Sequence, residues 1–144
     1  MGKYDTVPTT PSECLYSLGW TAGSGRFFMQ NWRSSGYEYG YYFGYAGTWD
    51  AAQGGPTADT DKHLFSSIAG STQGTFEAWV DTTSMGSATL SSNTTSGTYG
   101  LGGVNSTTAY AFDGKMSEFI LYQSDQSAVR LSVKGNINNH YVLY

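Results

Sequence analysis

Carboxylates and histidines are the side chains through which this chain could perform catalysis. A glycosidase that retains configuration needs two carboxyl groups about 5 Å apart, which on one strand requires acidic residues two positions apart. Glu77 and Asp81 are four positions apart, and Glu118 is the only acidic residue in its apolar run. His63 and His140, the only histidines, have no zinc-ligand spacing, and nothing in the sequence singles out a catalytic triad. The sequence therefore predicts a protein that is not an enzyme.

Three aspartates have a spacing that could suit a calcium ion. Asp59 and Asp61 lie two positions apart in a polar segment, and Asp50 lies upstream. Oxygen ligands at alternate positions of a loop are typical of calcium sites. A solvated acidic loop explains the same pattern and is the favoured interpretation, so we predict no metal ion and no cofactor.

Aromatic residues offer a third kind of chemistry, the binding of sugar rings against their flat faces. Seven of the thirteen residues from 37 to 49 are aromatic. The candidate glycan-binding residues flank this segment or lie at its ends, close in sequence to polar side chains: Trp32, Tyr37, Tyr39, Trp49 and Asp50. The alternative is that most of these aromatic residues pack in the core and between sheets. Trp79 is a secondary ligand candidate, or it packs against the C-terminal helix.

Glycine-rich turns between short apolar runs indicate that strands position these side chains. Glycines at 40, 44 and 47 would each destabilise a helix, by roughly 1 kcal/mol relative to alanine, whereas aromatic residues suit a pleated sheet. We therefore predict that residues 37–49 form a central strand, or a strand and its bend. The other predicted strands are residues 14–20, 26–32, 62–69, 75–81, 99–104 and 116–122, with a short apolar piece near 88–90. The first two of these form a hairpin, residues 50–61 form a surface loop, and 116–122 is the most convincing strand.

A helix is predicted near the C-terminus. Val129, Val133 and Ile137 recur every four residues, which places them on one face of a helix over roughly residues 125–139. Ser124 can cap this helix.

The order of elements indicates the fold class. Roughly eight strands at spacings near ten residues, followed by one short C-terminal helix, are typical of an all-β protein with an antiparallel two-sheet β-sandwich, or jelly roll. Residues 1–12, with Pro8 and Pro11, are assigned to an N-terminal arm or linker rather than a packed element. Residues 13–144 are assigned to the sandwich domain.

Charge and composition exclude several functions. The formal net charge is −4 and lysine and arginine form no cluster, so binding to nucleic acid through phosphates is not expected. No apolar run approaches the roughly 20 residues of a membrane helix, and residues 1–5 lack the apolar core of a signal peptide. Cys14 is the only cysteine, which excludes an intrachain disulfide and predicts a buried, small apolar side chain.

The segment Phe112-Asp113-Gly114-Lys115-Met116-Ser117-Glu118-Phe119-Ile120-Leu121-Tyr122 resembles the last sandwich strand of concanavalin A-like, laminin-G-type jelly rolls. In that family the motif reads approximately Phe-Asp-Gly-x-Ile-x-Glu-Val-x-Ile-Tyr. The versions in phage structural proteins often continue into a short helix with a terminal tyrosine, which corresponds here to 125–141. Residues 16–19 and 75–81 also resemble family strands, although Thr82 stands where the family has glycine. The resemblance covers about residues 13–141.

The resemblance implies a non-enzymatic virion structural or attachment protein, such as a phage tail-fibre, tailspike or capsid-decoration domain. It implies a location in the virion or outside the cell, and as partners other copies of the chain, other virion proteins or cell-surface carbohydrate. Family members usually carry further strands before the element at 16–19, so we expect that the sheet either lacks a strand or is completed by a partner chain. The alternative is a carbohydrate-binding module or lectin domain of a secreted bacterial protein.

Overall fold

A computed structural model describes residues 1–7, 13–20, 26–32, 38–45, 48–69, 75–89, 98–103 and 111–142. The strands within these ranges are β1 (Gly2–Tyr4), β2 (Glu13–Trp20), β3 (Arg26–Trp32), β4 (Glu38–Tyr45), β5 (Thr48–Thr57), β6 (Phe65–Ala69), β7 (Thr75–Val80), β8 (Thr83–Thr89), β9 (Thr98–Leu101) and β10 (Gly114–Met116). A single 3₁₀ turn, Ser127–Val129, leads into helix α1, Arg130–Tyr141.

The described strands form three antiparallel sheets. The largest has the order β5-β4-β3-β2-β9, the second is β6-β7-β8, and the third pairs β1 with β10. The coarse prediction is therefore confirmed, because the described chain is mostly strands in antiparallel sheets with one short C-terminal helix. The predicted hairpin of residues 14–20 and 26–32 is confirmed as β2 and β3.

The aromatic segment forms β4 and the start of β5. β4 hydrogen-bonds to β3 on one side and to β5 on the other, so it is an interior strand as predicted. The prediction of a surface loop over 50–61 is wrong for its first part, since β5 continues to Thr57. The Gly-Gly-Pro sequence at 54–56 is accommodated at an irregularity in the ladder, where the register shifts between Glu38 and Gly40. Glycine and proline are tolerated in strands at such bulges.

The first residues of the chain pack into the domain. β1 pairs with β10, and Tyr4 is fully buried. Its ring packs at 63° to that of Phe112, with 4.9 Å between centroids. The interpretation of 1–12 as an unpacked arm is therefore wrong for Gly2–Tyr4. This segment pairs with β10, and its tyrosine ring packs against Phe112. Residues 8–12 lie outside the described residues, and the boundary at residue 13 stays a prediction.

Glycine at position 114 allows β1 to approach β10. A Cβ atom on Gly114 would lie 2.1 Å from the backbone oxygen of Lys3 and 2.7 Å from Cζ of Phe112. No side chain fits such a distance, so the Phe-Asp-Gly sequence at 112–114 has a structural role in closing the domain.

The C-terminal segment departs most from its prediction. Only Gly114–Met116 is a strand, whereas residues 117–122 have no regular structure, so the prediction of a strand over 116–122 is wrong for most of its length. A strand needs a partner for its backbone groups, and the N-terminal segment reaches only as far as Glu118. The Ser117 amide donates to the Met1 carbonyl oxygen at 3.1 Å, and the Met1 ammonium donates to the Glu118 carbonyl oxygen at 2.7 Å.

The predicted helix over 125–139 is observed about five residues later, at Arg130–Tyr141. Ser124 does not cap it; its hydroxyl instead accepts from the Gln126 amide at 2.8 Å. No residue of α1 is fully buried. Of the apolar stripe proposed from its sequence, Val133 and Ile137 are half-buried, and Val129, which precedes the helix, is exposed.

Several small and apolar side chains form the core between the sheets. Its fully or almost fully buried members are Tyr4, Leu15, Ala58, Ala78, Val80 and Met85, and Tyr16, Phe65, Phe112 and Met116 pack against them. The core thus draws on β1, β2, β7, β8 and β10 together. The N-terminal strand and the Phe-Asp-Gly segment are part of its wall.

Candidate functional site

A histidine between two carboxylates is the most developed polar cluster of the described residues. Nδ1 of His63 lies 2.6 Å from Oδ2 of Asp81, and Nε2 lies 2.8 Å from Oδ1 of Asp59. The His63 side chain is only 13% exposed, whereas that of Asp59 is 49% exposed. The cluster of Asp59, His63 and Asp81 is called the carboxylate clamp below.

Backbone contacts hold His63 in place. Its amide donates to the Gly2 carbonyl oxygen at 3.0 Å, and its carbonyl oxygen accepts from the Gly2 amide at 3.1 Å. This isolated bridge attaches β1 to the segment that precedes β6. The imidazole ring also packs edge-on against Phe65, with centroids 6.0 Å apart.

The turn between β7 and β8 positions Asp81. Its φ of 53° lies in the left-handed region, which aspartate enters more readily than most residues because its short side chain can hydrogen-bond locally. Oδ1 of Asp81 accepts from the Leu64 amide at 2.8 Å, and the Asp81 amide donates to the Leu64 carbonyl oxygen at 2.8 Å. Asp81 therefore contacts both the side chain of His63 and the backbone that follows it.

The electrostatics of the clamp favour a charged imidazolium. Burial lowers the pKa of His63, but its hydrogen bonds to the Asp81 and Asp59 carboxylates, together with their charges, outweigh burial and raise the pKa to about 9. Burial opposes ionisation of Asp59, yet its bonds with His63 and with the Asp61 amide leave its pKa below the ordinary value. A doubly protonated ring can donate to both carboxylates at once, so near neutral pH the clamp is a carboxylate–imidazolium–carboxylate bridge.

This arrangement does not suit catalysis or metal binding. A general base must have a free nitrogen within reach of the proton it removes, and both nitrogens of His63 are bonded to carboxylates. In the part of the chain that the structure describes, no three His, Cys, Asp or Glu side chains converge as metal ligands do. The proposed calcium pair is not assembled either, because Asp59 accepts from His63 and from the Asp61 backbone amide at 2.7 Å. The side chain of Asp50 lies outside the described residues.

Sequence reasoning missed this cluster because Asp81 is distant in the chain from the other two residues. Asp59 and His63 are four positions apart, and Asp81 follows eighteen residues later. The available signal was a lone histidine beside an acidic loop, together with an aspartate at the end of a strand, where the chain turns. Nothing in the sequence paired the two features.

The predicted glycan-binding residues fall into two groups. On the backbone, Trp32 lies opposite Glu38 and Tyr39 lies opposite Asn31, at one end of β4. Trp49 lies opposite Gly44 and Asp50 opposite Phe43, near the other end. Six positions of a strand separate Glu38 from Gly44, which is roughly 20 Å. Tyr37 and all five side chains lie outside the described residues, so their role in binding stays a prediction.

Trp79 packs against the start of the helix, which is the second of the two interpretations given for it. The guanidinium carbon of Arg130 lies 3.8 Å from the centroid of the Trp79 ring, a cation–π contact. Trp79 is 9% exposed, which leaves little of the ring for a ligand.

Cys14 is buried, as predicted. Burial raises the pKa of its thiol to about 12, even though Sγ donates to the Tyr16 carbonyl oxygen at 3.0 Å. The reactive thiolate is therefore scarce at neutral pH, and a nucleophilic role for Cys14 is not supported.

An apolar surface surrounds the end of β10. Four consecutive side chains, Phe119, Ile120, Leu121 and Tyr122, are each between 36% and 56% exposed. Beside them an open groove of about 450 Å³ has Leu101, Phe112 and Met116 in its walls. Val129 and Leu131, in the turn and helix that follow, are also exposed. Residues 119–122 together with Leu101 are called the C-terminal apolar surface.

Comparison with protein-family models, with curated proteins and with solved structures finds no match to this chain. No helix in the described ranges has the length and apolar character needed to cross a membrane.

Proposed function

We propose that this chain is a non-enzymatic virion structural or attachment protein built on a two-sheet β-sandwich of the jelly-roll type. The observation that carries the proposal is the C-terminal apolar surface. Four consecutive exposed apolar side chains form a patch of roughly a few hundred Å², a size at which the largest apolar patch of a protein often marks contact with another protein. The resemblance of residues 112–122 to the last strand of concanavalin A-like, laminin-G-type jelly rolls, followed by a helix as in the versions found in phage structural proteins, supports the same assignment.

The two larger sheets have contacts suited to a sandwich. The hydroxyl of Tyr16 in β2 lies 2.8 Å from Oγ of Ser67 in β6, across the gap between the five-stranded and three-stranded sheets. β5 also lies against β8. Two antiparallel sheets that enclose one core are the usual sandwich arrangement.

The carboxylate clamp supports a structural role rather than an enzymatic one. It bonds three separate segments of the chain to one another, and its single histidine has no nitrogen left for proton transfer to a substrate. Of the carboxylates considered for glycoside hydrolysis, Glu77 is exposed and Asp81 is bonded to His63. We expect no hydrolysis across a panel of polysaccharides.

The test of the proposal is the genetic and physical context of the chain. Genes adjacent to its own should encode capsid, portal or tail proteins, and purified particles from the same source should contain the chain by mass spectrometry. Neighbouring genes for polysaccharide-degrading enzymes, with no particle association, would overturn the proposal in favour of a secreted carbohydrate-binding module.

Glycan recognition forms the attachment part of the proposal. The backbone register that places Trp32 and Tyr39 at one end of β4 and Trp49 and Asp50 at the other favours two separate contact regions. A glycan array should show binding that Trp32→Ala or Trp49→Ala weakens. Absence of binding across a broad array would remove this part and leave the structural role.

A further inference from the structure

Residues 117–122 have the sequence of a strand but no strand partner among the described residues. Ser-Glu-Phe-Ile-Leu-Tyr contains one charge, no glycine and no proline, and its aromatic and β-branched residues favour strands. The backbone contacts with the N-terminal segment end at Met1, whose carbonyl oxygen accepts from the Ser117 amide at 3.1 Å and whose ammonium donates to the Glu118 carbonyl oxygen at 2.7 Å. Beyond it, the side chains of 119–122 are exposed on both alternating faces of the segment. Unpaired segments of this kind are the usual substrates for strand addition by another chain.

We propose that residues 117–122 pair, as an antiparallel strand, with the same residues of a second copy of this chain. The inference rests on the proposed function, in which the chain is part of an assembly, and it names one contact of that assembly. The second copy adds on the edge of the segment away from β1, and the two copies are related by a two-fold axis.

Charge decides the direction of pairing. A parallel, in-register pair would set Glu118 directly against the same carboxylate of the other copy, and like charges directly opposite destabilise a sheet. In the antiparallel pair centred on Ile120, each Glu118 lies opposite Tyr122, four positions from its own copy, which is roughly 14 Å along the strand. The side chain of Tyr122 carries a hydroxyl that can donate to a carboxylate.

Apolar complementarity decides the register. A two-fold axis perpendicular to the sheet places one residue directly opposite the same residue of the second copy. If that residue is Ile120, Phe119 lies opposite Leu121 of the second copy, and this pair is on the opposite face of the sheet from the Ile120 pair. Each apolar side chain of 119–121 then meets an apolar partner. Centring on Phe119 would instead place Ile120 opposite Glu118, and centring on Leu121 would place Phe119 opposite Gln123.

The exposed area predicts a weak dimer. With roughly 200 Å² for each large side chain, the exposed parts of 119–122 amount to less than half of the roughly 800 Å² per partner found in standard interfaces. We therefore expect a dissociation constant in the micromolar range or weaker, which multiple contacts in a particle would strengthen.

Light scattering after size-exclusion chromatography tests the proposal on the full chain. Over about 5–500 µM, the apparent mass should rise from the 15.6 kDa of a monomer towards twice that value. Ile120→Lys should weaken the association at least tenfold, because the lysine would face its own copy. Val7→Lys is a matched control, since Val7 is a β-branched residue of similar exposure, 39% against 44%, outside the segment. A wild-type mass that stays monomeric throughout, or equal association by Ile120→Lys, would overturn the inference.

Cysteine cross-linking supplies a second test that does not depend on a charged substitution. Ile120→Cys should form an intermolecular disulfide readily, because the self-facing residue brings the two Cα atoms within about 4.5–5.5 Å. Phe119→Cys is the control; its copies would lie beyond the roughly 7 Å that a disulfide spans. The native Cys14 is buried and does not compete. Equal cross-linking at both positions would refute the register, and none at either would refute the pairing. Both results are independent of whether the chain occurs in particles.

Discussion

Replacing His63 by glutamine should remove a pH-dependent part of the stability of this protein. The wild-type imidazolium bonds to Asp81 at 2.6 Å and to Asp59 at 2.8 Å. Glutamine keeps some hydrogen-bonding capacity but cannot carry a proton charge. The comparison of the two proteins across pH therefore isolates the titration of one side chain.

The sign of the effect follows from the pKa of His63. The value of about 9 in the folded protein exceeds the roughly 6.5 of an unfolded chain. The bound proton thus contributes fully to stability below about pH 6.5, and the contribution is lost as the pH rises through about 9. The difference in pKa corresponds to at most about 3 kcal/mol. Since the Asp59 side chain is 49% exposed, solvent weakens its interaction with His63. We therefore expect the proton on His63 to contribute about 1–2 kcal/mol to the free energy of unfolding.

Urea unfolding at several pH values measures this contribution. The free energy of unfolding of wild type should exceed that of His63→Gln most at pH 6, and the gap should narrow by about 1–2 kcal/mol at pH 10. The difference in melting temperature between wild type and His63→Gln should narrow by roughly 3–6 °C over the same pH range. His140→Gln is the control for removal of a histidine outside the clamp, because His140 is exposed at the end of α1. If the wild-type and His63→Gln curves run parallel between pH 6 and 10, the charged clamp does not exist.

Three further predictions concern the packing of the domain. Gly114→Ala should lower the free energy of unfolding, measured in urea, by about 2 kcal/mol or more, since the added Cβ would overlap the backbone of β1. Gly135→Ala in α1 would place its Cβ where no atom lies within 4 Å, so it should instead raise the free energy of unfolding by roughly 0.5–1 kcal/mol. Cys14 should react with a thiol reagent about a hundredfold more slowly in native protein than in urea, and equal rates would show that the thiol is accessible. Arg130→Gln should lower stability by about 0.5–1 kcal/mol through loss of its contact with Trp79, and an unchanged tryptophan fluorescence spectrum with unchanged stability would contradict that contact.

The strand content of this fold could be predicted from the sequence because local signals agree with it. The runs at 14–20, 26–32 and 75–81 are apolar or alternating and are bounded by glycine, and all three form strands. Pairing between neighbouring strands is equally local, which is why the β2–β3 hairpin could be predicted. Gly-Gly-Pro at 54–56 misled the prediction because a neighbouring strand can hold such residues at a bulge, and composition does not reveal that neighbour.

Long-range contacts could not be predicted from local patterns. The pairing of β1 with β10 joins residues more than a hundred positions apart, and no periodicity in Gly2–Tyr4 announces it. The carboxylate clamp is also a contact between residues distant in the chain, since Asp81 approaches His63 only because β6 and β7 are adjacent. The pKa of His63 is thus a property of the tertiary structure. The sequence could indicate which residues titrate, but not which of them meet.

Residues 112–122 combine two roles that the sequence motif does not separate. The first half of this segment packs into the core of a single chain: Phe112 packs on Tyr4, and Gly114 allows β1 to lie close to β10. Its second half continues the same apolar pattern, but of its large side chains only Phe119 has a ring partner within the chain, Tyr16 at 5.4 Å between centroids, whereas Ile120, Leu121 and Tyr122 stay 44–56% exposed. A pattern selected only for folding would change to polar residues where the core ends. Because it does not, contact with another chain is the simplest physical explanation for residues 119–122, and Ile120 is the position at which that explanation is most directly tested.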